Sequence, residues 1–544
     1  MKRRKILSCA LAAAIALGSM APVWAASGQD NVVTNGKTVK NIIMMIPDGM
    51  SVTDTTLARW YQDGKPLNLD ALACGLVRTH SADAPIADSA PAGTAFATGY
   101  KSHTGFVGVL PDERTMPGET PIAKEDQRRP VASILEALQL KGKATGVIAT
   151  SEIMHATPAD FTAHDPSRKN YDNLSEQQVY QGLDVVLGSG SKFFEAANRG
   201  DKEDLVSEIK STYQYVTTLD EMNKVKSGKL WGMFAPADMA YEFDRPANEP
   251  SLAEMTTKAI ELLKNDPDGF FLVVEGSKVD WASHANDPIG VISDVLAYDK
   301  AVGAALDFAK KDGNTAVISV TDHGNGGMTI GSKATDNDYD KRKLSEFIDP
   351  LKKATLTGEG VEKRLNADRS NAVEIMAKYF GVSDLTAEEI KAIKETEAGS
   401  MNYTVGPILS KRSNIGWTTN GHTGEDVVLY IYAPDGVSKL TGVVDNTDIA
   451  FYMAKLTGTS LKEATDKLFV SAGPAFKAKG AQVSFTDSGN KNYVITAVKG
   501  NTEVKIPINK DYALVNGEKV QLSGVSVYNG ISSFVPQDAV ELMK

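Results

Sequence analysis

Short apolar runs recur along the chain, and each of them ends in a polar residue and a turn. These runs, rich in Val, Ile and Met, occupy residues 41–49, 144–152, 184–190, 270–277 and 315–324. Amphipathic stretches with helical spacing separate them, at 130–142, 251–266 and 288–313. Continuous apolar strands that alternate with helices favour a sheet covered on both faces. The pattern therefore predicts an α/β fold with a mostly parallel central sheet and helices on both faces.

Two later regions depart from this alternation. Residues 335–400 are charged and helical in pattern, which predicts a helical insertion that could lie over the mouth of a site. The chain returns to the sheet at 427–434, which is another apolar run. From residue 476 onward, short alternating strands with turn residues predict a small all-β module. We therefore expect a large α/β domain at 26–475 and a β-rich module at 476–544.

The N-terminus has the pattern of a signal peptide. Residues 1–5 are basic, residues 6–20 are apolar, and a small-residue cleavage site ends at Ala25. We expect cleavage after Ala25, so residues 1–25 do not belong to the fold. The mature protein is then exported, to the periplasm or the extracellular space.

Charge and cysteine content narrow the functional classes. The formal net charge is −11, and loss of residues 1–25 removes four basic residues and no acid, which leaves −15. A nucleic-acid partner requires a basic surface, so we expect none. No later segment has the ~18 uninterrupted apolar residues that a membrane span needs. Cys74 is the only cysteine after cleavage, which excludes an intramolecular disulfide.

Acidic and histidine residues with metal-ligand spacing follow several of the apolar runs. Asp280 and His284 are four residues apart and would share one face of a helix. Four further candidates directly follow apolar runs or lie in a Gly-flanked loop: Asp48, Asp322, His323 and His422. A mixture of carboxylate and imidazole ligands suits zinc, so the pattern predicts a binuclear zinc site. We interpret three other histidines as structural or locally hydrogen-bonded: His80, His103 and His164.

Ser89 lies in a stretch of small residues, IADSAPAGTAFATG at 86–99. It could be an ordinary helix N-cap, or a nucleophile placed where the helix dipole and free N–H groups favour an oxyanion. Arg168 could give bidentate contacts to phosphate oxygens. Thr157 and Glu275 offer oxygen ligands suited to Mg²⁺. Together these groups fit phosphoryl transfer, in which two divalent ions clamp the attacking and leaving oxygens.

Six separated motifs resemble those of the alkaline phosphatase family, and the resemblance covers residues 40–460. The motifs are IPDGM, DSAPAGTA, HATPADFTAHDPSR, VEGSKVDWASH, TDHG and GHTGED. The resemblance implies hydrolysis of phosphate monoesters to alcohol and inorganic phosphate through a phosphoserine intermediate, with two Zn²⁺ and one Mg²⁺. The implied roles are nucleophile and metal-bound residue for Ser89, phosphate binding for Arg168, the first zinc for Asp280, His284 and His422, the second zinc for Asp48, Asp322 and His323, and magnesium for Asp48, Thr157 and Glu275.

Two positions depart from the best-known bacterial pattern of that family. His155 stands where that pattern has an aspartate near the magnesium, and Trp281 stands where it has a lysine near phosphate. Because imidazole is a softer ligand than carboxylate, the third site could take Zn²⁺ or Co²⁺. Trp281 removes a cation, which we expect to weaken phosphate binding and quicken product release. The resemblance also implies a homodimer.

Other functions could use the same residues. A phosphodiesterase or a sulfatase could be built on this metal core, although Thr157 and Glu275 argue against the diesterase and the formylglycine motif of sulfatases is absent. A non-catalytic metal- or phosphate-binding protein would need no activated serine.

The C-terminal residues 515–543 weakly resemble the small stalk-like β domains related to the N-terminal domain of copper amine oxidases. By that resemblance the module is a spacer or contacts the cell envelope. Alternatively, it is a β appendage that packs on the catalytic domain.

Overall fold

The computed structural model describes residues 32–544, and the predicted signal peptide at 1–25 lies outside the described residues. The strands in this range are β1 Asn41–Pro47, β2 Ala73–Arg78, β3 Ala144–Glu152, β4 Val185–Ser189, β5 Gln214–Val216, β6 Leu230–Met233, β7 Phe270–Gly276, β8 Thr315–Ser319, β9 Gly324–Asn325, β10 Thr329–Ile330, β11 Ile415–Gly416, β12 His422–Thr423, β13 Val427–Tyr432, β14 Gly442–Asp445, β15 Val470–Ser471, β16 Gln482–Asp487, β17 Tyr493–Lys499, β18 Thr502–Pro507, β19 Tyr512–Val515, β20 Glu518–Gln521, β21 Val527–Tyr528 and β22 Ser533–Val535.

The α-helices of the same range cover the sheet, form the insertion and close the C-terminal module. They are Val52–Tyr61, Ser89–Thr98, Ile134–Gln139, Ala156–Asp160, Tyr171–Tyr180, Leu205–Thr212, Leu219–Lys224, Leu252–Leu263, Lys278–His284, Pro288–Asp312, Ser345–Lys352, Gly358–Glu362, Ala372–Phe380, Ala387–Glu395, Met401–Arg412, Asn446–Thr457, Leu461–Leu468, Ala472–Ala478 and Gln537–Glu541. None of the helices described between residues 32 and 544 is long and apolar enough to cross a membrane.

Ten of the strands described in residues 32–544 form one central sheet with the order β14-β2-β13-β8-β1-β7-β3-β4-β6-β5. Among them, β13 alone runs antiparallel to its neighbours, β2 and β8. The other pairs are parallel. The mostly parallel sheet is thus confirmed, and the apolar run at 427–434 does return the chain to it.

Strand β1 lies near the middle of the sheet and is buried along its whole length. Ile43 packs into the apolar core that contains helix Leu252–Leu263, whereas Ile42 packs into the opposite core with helix Ser89–Thr98. This two-sided burial explains why the strand is an unbroken apolar run rather than an alternating one. With both faces covered, functional groups collect beyond the carboxyl ends of the strands.

The segment at 335–400 folds into short helices, as the pattern predicts. Its helices Gly358–Glu362 and Ala387–Glu395 pack beside helix Met401–Arg412. The segment contributes Glu359 and Glu362 to the lining of the cleft described below.

The C-terminal module contains the five-stranded antiparallel sheet β16-β17-β18-β19-β20 and the three-stranded sheet β15-β22-β21. Its residues Val525, Val527 and Phe534 belong to the same apolar core as the second face of the central sheet. The module therefore packs on the large domain, which is the appendage arrangement considered above.

Candidate active site

The carboxyl ends of three neighbouring strands bring the strand-end residues together. β1 is followed by Asp48, β7 carries Glu275 near its end, and β8 is followed shortly by Asp322. The sheet register pairs Ile46 with Glu275, and the Asp48 N–H donates to the Gly276 carbonyl at 3.2 Å. Parallel neighbours end at the same edge, so residues more than two hundred positions apart form one site.

The first group of possible metal ligands is Asp280, His284 and His422. Nε2 of His284 lies 3.4 Å from Asp280 Oδ2 and 3.2 Å from Nε2 of His422. Nδ1 of His284 faces the Asn420 carbonyl at 2.6 Å, and Nδ1 of His422 faces the Ala87 carbonyl at 2.8 Å. These backbone contacts orient both rings so that the Nε2 atoms converge, as in metal-binding histidines. The helix Lys278–His284 confirms the predicted one-face spacing.

The second group is Asp48, Asp322 and His323, all fully buried. Nε2 of His323 lies 3.1 Å from Asp322 Oδ2 and 3.6 Å from Asp48 Oδ1. Burial opposes protonation of His323, but the Asp322 carboxylate outweighs it and raises the pKa of the ring to about 9. Ser89 Oγ lies 3.2 Å from the same Nε2, which brings the candidate nucleophile to this group.

The third group is Asp48, His155 and Glu275. Both carboxylate oxygens of Asp48 and of Glu275 are buried without a hydrogen-bond partner among the described residues, and so is the hydroxyl of Thr157. Burial raises the pKa of Glu275 to about 8. Buried acids without hydrogen-bond donors require a compensating positive charge, which a divalent cation supplies. The donor set therefore fits a bound cation.

Arg168 and its neighbours flank Ser89, the candidate nucleophile. Its Nη1 pairs with Asp88, and its Nη2 lies 2.9 Å from Nε2 of His155. Burial, followed by the positive charge of Arg168, lowers the pKa of His155 to about 3. The imidazole is therefore neutral, and its Nε2 lone pair accepts from the guanidinium. The guanidinium side chain remains 20% exposed on the cleft side.

The helix Ser89–Thr98 begins at Ser89, and Asp88 occupies the N-cap position. The interpretation of Ser89 as the cap is therefore wrong, because the serine lies one residue inside the helix. The small residues behind it also have a packing role: a Cβ at Gly93 would clash with the carboxylate of Asp160. The small residues therefore allow the helix to pack against the buried Asp160, while Ser89 faces the groups of possible metal ligands.

Known proteins identify the family to which these motifs belong. The family model described as Alkaline phosphatase matches residues 39–459. The chain belongs to the alkaline phosphatase family. It is an enzyme of the phosphoric monoester hydrolase class, in agreement with the resemblance of its motifs.

Relatives and solved structures match most of this alkaline phosphatase. The chain is 35% identical to alkaline phosphatase 3 of Bacillus subtilis over 84% of this chain and 98% of the relative. It is 30% identical to the alkaline phosphatase of Escherichia coli over 78% of this chain and 87% of the relative. The structure of Thermus thermophilus alkaline phosphatase matches with a TM-score of 0.68 at 27% identity, covering 81% and 97% of the two chains.

A histidine-to-glutamate variant of the alkaline phosphatase from TAB5 also matches, with a TM-score of 0.57 at 28% identity over 78% and 99% of the two chains. That structure is described as having Mg bound in its M3 site. A second family model, Copper amine oxidase N-terminal domain, matches residues 454–542, which agrees with the resemblance of the C-terminal module.

The site of this alkaline phosphatase opens into a cleft of about 910 Å³. Ser89, Arg168 and Trp281 line it together with Glu359 and Lys363 of the insertion. The insertion thus reaches the mouth of the site, as predicted from the sequence. The size of the cleft leaves room for a leaving group beyond the phosphate.

Three residues of the site were not singled out by the sequence pattern: Asp88, Lys278 and Asn325. Asp88 precedes Ser89 and holds Arg168. Lys278 pairs with Asp238 and lies with Nζ 4.0 Å from the ring centroid of Trp281, so this wall of the cleft has a cation despite the tryptophan. Asn325 donates to Asp280 Oδ1 at 2.6 Å. Asp88 and Lys278 lie within quoted motifs, whereas the role of Asn325 appears only when β9 meets the helix Lys278–His284.

Proposed function

We propose that this enzyme hydrolyses phosphate monoesters through a phosphoserine at Ser89, in a site that holds two Zn²⁺ and a third divalent ion. The observation that carries the proposal is the position of Ser89 Oγ, 3.2 Å from His323 and at the N-terminus of a helix. A serine that only capped the helix or filled the core would not need three groups of possible metal ligands and an arginine around it. The sequence identity with named alkaline phosphatases favours the monoesterase over the diesterase, sulfatase and binding-protein alternatives.

The described residues divide naturally among three ions. Asp280, His284 and His422 would hold the first Zn²⁺, and Asp48, Asp322 and His323 the second. Glu275, Thr157 and Asp48 would hold Mg²⁺, or Zn²⁺ or Co²⁺ if His155 joins them. Bound ions at these positions would supply Lewis-acid activation of the attacking oxygen and charge neutralisation at the leaving oxygen.

The chain's own residues place the reacting atoms. Ser89 Oγ attacks phosphorus and the alcohol leaves, after which a water molecule attacks the phosphoserine and releases inorganic phosphate. Arg168 offers its planar guanidinium to the non-bridging oxygens, while Asp88 binds its Nη1 and His155 its Nη2. Backbone N–H groups at the start of the helix Ser89–Thr98 add to the positive potential. Two in-line displacements give net retention of configuration at phosphorus.

Hydrolysis of p-nitrophenyl phosphate by the mature, metallated chain tests this function. We expect turnover that EDTA abolishes and Zn²⁺ restores, and that falls by about a thousandfold or more in Ser89→Ala. Ser211→Ala, at an exposed serine far from the site, is the matched control and should match wild type. Turnover in Ser89→Ala equal to wild type would refute the serine mechanism, and no turnover in metallated wild type would favour a binding protein.

Export, assembly and envelope contact form a further part of the proposal. The signal-peptide pattern at 1–25 supports export to the periplasm or the extracellular space. The family resemblance supports a homodimer, and the match of residues 454–542 supports contact of the C-terminal module with the cell envelope. N-terminal sequencing of protein recovered from the culture or periplasm checks the cleavage after Ala25, and light scattering checks the dimer.

A further inference from the structure

The C-terminal module reaches the large domain through the loop between β18 and β19. Asn509 of this loop is buried, and its side chain forms hydrogen bonds with three residues of the helix Tyr171–Tyr180. Nδ2 donates to Glu176 Oε2 at 2.8 Å and to Asn173 Oδ1 at 3.3 Å, and Oδ1 accepts from Gln177 Nε2 at 3.1 Å. Positions 173, 176 and 177 share one face of a helix, so a single side chain binds them all.

Two of these partners also hold the segment that leads to Arg168. Gln177 binds both backbone groups of His164: its Oε1 accepts from the N–H at 2.8 Å, and its Nε2 donates to the carbonyl at 3.0 Å. Asn173 donates to Asp165 Oδ2 at 2.8 Å. The amides that Asn509 orients are therefore the amides that orient residues 164 and 165.

Asp165 connects Asn173 to the residue that precedes Arg168. Its Oδ1 accepts the N–H of Ser167 at 2.8 Å, next to Arg168 in sequence. The backbone N–H of Arg168 itself donates to the Gly105 carbonyl at 2.7 Å. Asp165 also exchanges two backbone hydrogen bonds of 2.9 Å with Val107. Backbone pairing with residues 105 and 107 and side-chain hydrogen bonds from the helix Tyr171–Tyr180 therefore act together to set the position of this segment.

Backbone hydrogen bonds within the module hold the loop that contains Asn509. The Asn509 N–H donates to the Ser526 carbonyl at 2.9 Å, and the Ser526 N–H donates to the Lys510 carbonyl at 3.0 Å. Lys510 forms ion pairs with Glu176 and Glu203 of the large domain, at 3.5 and 3.2 Å. The loop is thus held from within the module and by charge beside the helix.

We propose that Asn509 is a positioning residue for Arg168, so that the C-terminal module helps to set the phosphate affinity of the active site. This inference rests on the proposed role of Arg168 as a phosphate ligand. The effect passes through Asn173 and Gln177 to the 164–168 segment, and Asn509 itself touches no substrate.

The variant Asn509→Gly removes the side chain without straining the backbone. Asn509 has a φ of 68°, a left-handed conformation that glycine adopts freely and alanine does not. Asn509→Asp is a second variant of nearly unchanged shape that replaces the Nδ2 donor by an oxygen facing Glu176. The matched control is Asn492→Ala, which removes a module hydrogen bond of 2.9 Å to the Asp201 carbonyl without touching Asn173 or Gln177.

The test measures the inhibition constant of inorganic phosphate on the full-length metallated enzyme. We expect Asn509→Gly and Asn509→Asp to raise this constant by about three- to thirtyfold, the range for a residue that supports a site from outside it. Asn492→Ala should match wild type. In an Arg168→Ala background, Asn509→Gly should cause no further loss, because the supported group is gone. Amide exchange in residues 162–168 should be faster in Asn509→Gly alone.

The outcomes separate this inference from the proposed function. If Arg168→Ala weakens phosphate binding and both Asn509 variants match wild type, the inference is overturned and the proposed function stands. An Asn509→Gly effect that is equally large in the Arg168→Ala background would also overturn it, because the effect would not act through the arginine. Unchanged phosphate affinity in Arg168→Ala would refute the proposed role of the arginine as well.

Discussion

The strand-end ligands and the arginine segment are two parts of one site that are held in place by different means. Asp48 and Glu275 follow central strands, and the parallel hydrogen-bond ladder of β1 and β7 sets their positions. Arg168 lies on a segment held by backbone hydrogen bonds to residues 105 and 107 and by side-chain amides of the helix Tyr171–Tyr180, which Asn509 of the C-terminal module contacts in turn. The ligand positions are therefore built into the sheet, whereas the arginine position depends on contacts between distant parts of the chain.

This difference predicts different responses to mutation. Substitution of one strand-end residue removes a charge from the buried cluster, while the sheet keeps the other strand-end residues in position. A change around the arginine segment leaves the ligands intact and alters how phosphate is bound. The five predictions that follow test the contrast from its strongest consequence to its weakest.

Asp48→Ala should have the largest effect, because Asp48 belongs to both the second and the third group of ligands. We expect kcat/KM to fall by about a thousandfold or more, the scale of loss of a group that acts within a catalytic unit. Metal analysis should show loss of bound ions. Asp307→Ala, at an exposed aspartate on the helix Pro288–Asp312, is the control; equal loss in both variants would contradict the assignment.

Phe534→Ala should loosen the contact between the module and the large domain. Phe534 is buried in the core that both share, so its truncation should lower the free energy of unfolding by about 3–5 kcal/mol. Phosphate inhibition should weaken while the metal content stays unchanged. Denaturant unfolding and metal analysis check this, with Phe485→Ala, at a partly exposed module position, as the control. Loss of metal together with stability would show that the module also supports the ligands.

His155→Asp should change the metal preference of the third group, because a carboxylate is a harder ligand than imidazole. We expect activation by Mg²⁺ to increase by about tenfold relative to wild type, with weaker activation by Zn²⁺ or Co²⁺. Activity titrations with the three ions measure this. Identical titration curves for the two proteins would mean that His155 does not contribute to the third site.

Trp281→Lys should strengthen product inhibition, because it adds a second ammonium to a cleft wall that already contains Lys278. A charge-assisted hydrogen bond to phosphate should lower the phosphate inhibition constant by about tenfold. Trp281→Phe, which adds no charge, is the control. An unchanged inhibition constant in Trp281→Lys would show that the tryptophan does not set phosphate affinity.

Glu136→Gln should have the smallest effect, a pH-dependent loss of stability near the arginine segment. His164 Nε2 lies 3.0 Å from Glu136 Oε1; burial lowers the pKa of His164, but Glu136 outweighs burial and raises it. This stabilisation is complete below about pH 6.5 and is lost as the pH rises through the raised pKa. The difference in unfolding free energy between variant and wild type should therefore shrink, by about 1 kcal/mol, from pH 6 to alkaline pH. A difference that grows with pH would contradict this assignment.

Local patterns were sufficient to predict much of the fold and to propose the metal ligands. The apolar runs become the central strands, and the proposed ligands follow them because strand ends are where a covered sheet leaves room for polar groups. Asp280 and His284, at i, i+4 spacing, could be predicted to share a face because both residues lie within one short helix. The structural role of His164, buried against Glu136, also agrees with the sequence interpretation.

Other features required contacts that no local pattern encodes. The antiparallel direction of β13, the support of Asp280 by Asn325 and the cap position of Asp88 depend on which elements meet in space. The domain boundary near residue 476 and the identity of the bound ions remain predictions.

The sequence by itself predicted the mostly parallel sheet and the candidate ligands, because periodicity and spacing act over a few residues, whereas Ser89 as the nucleophile rests on the family resemblance and stays a proposal. Only the tertiary structure decided that Arg168 is held by Asp88 and His155, and that Asn509 supports its segment from 341 positions away. Hydrogen bonds between side chains of distant elements form only when those elements pack, so their partners cannot be read from the order of residues along the chain.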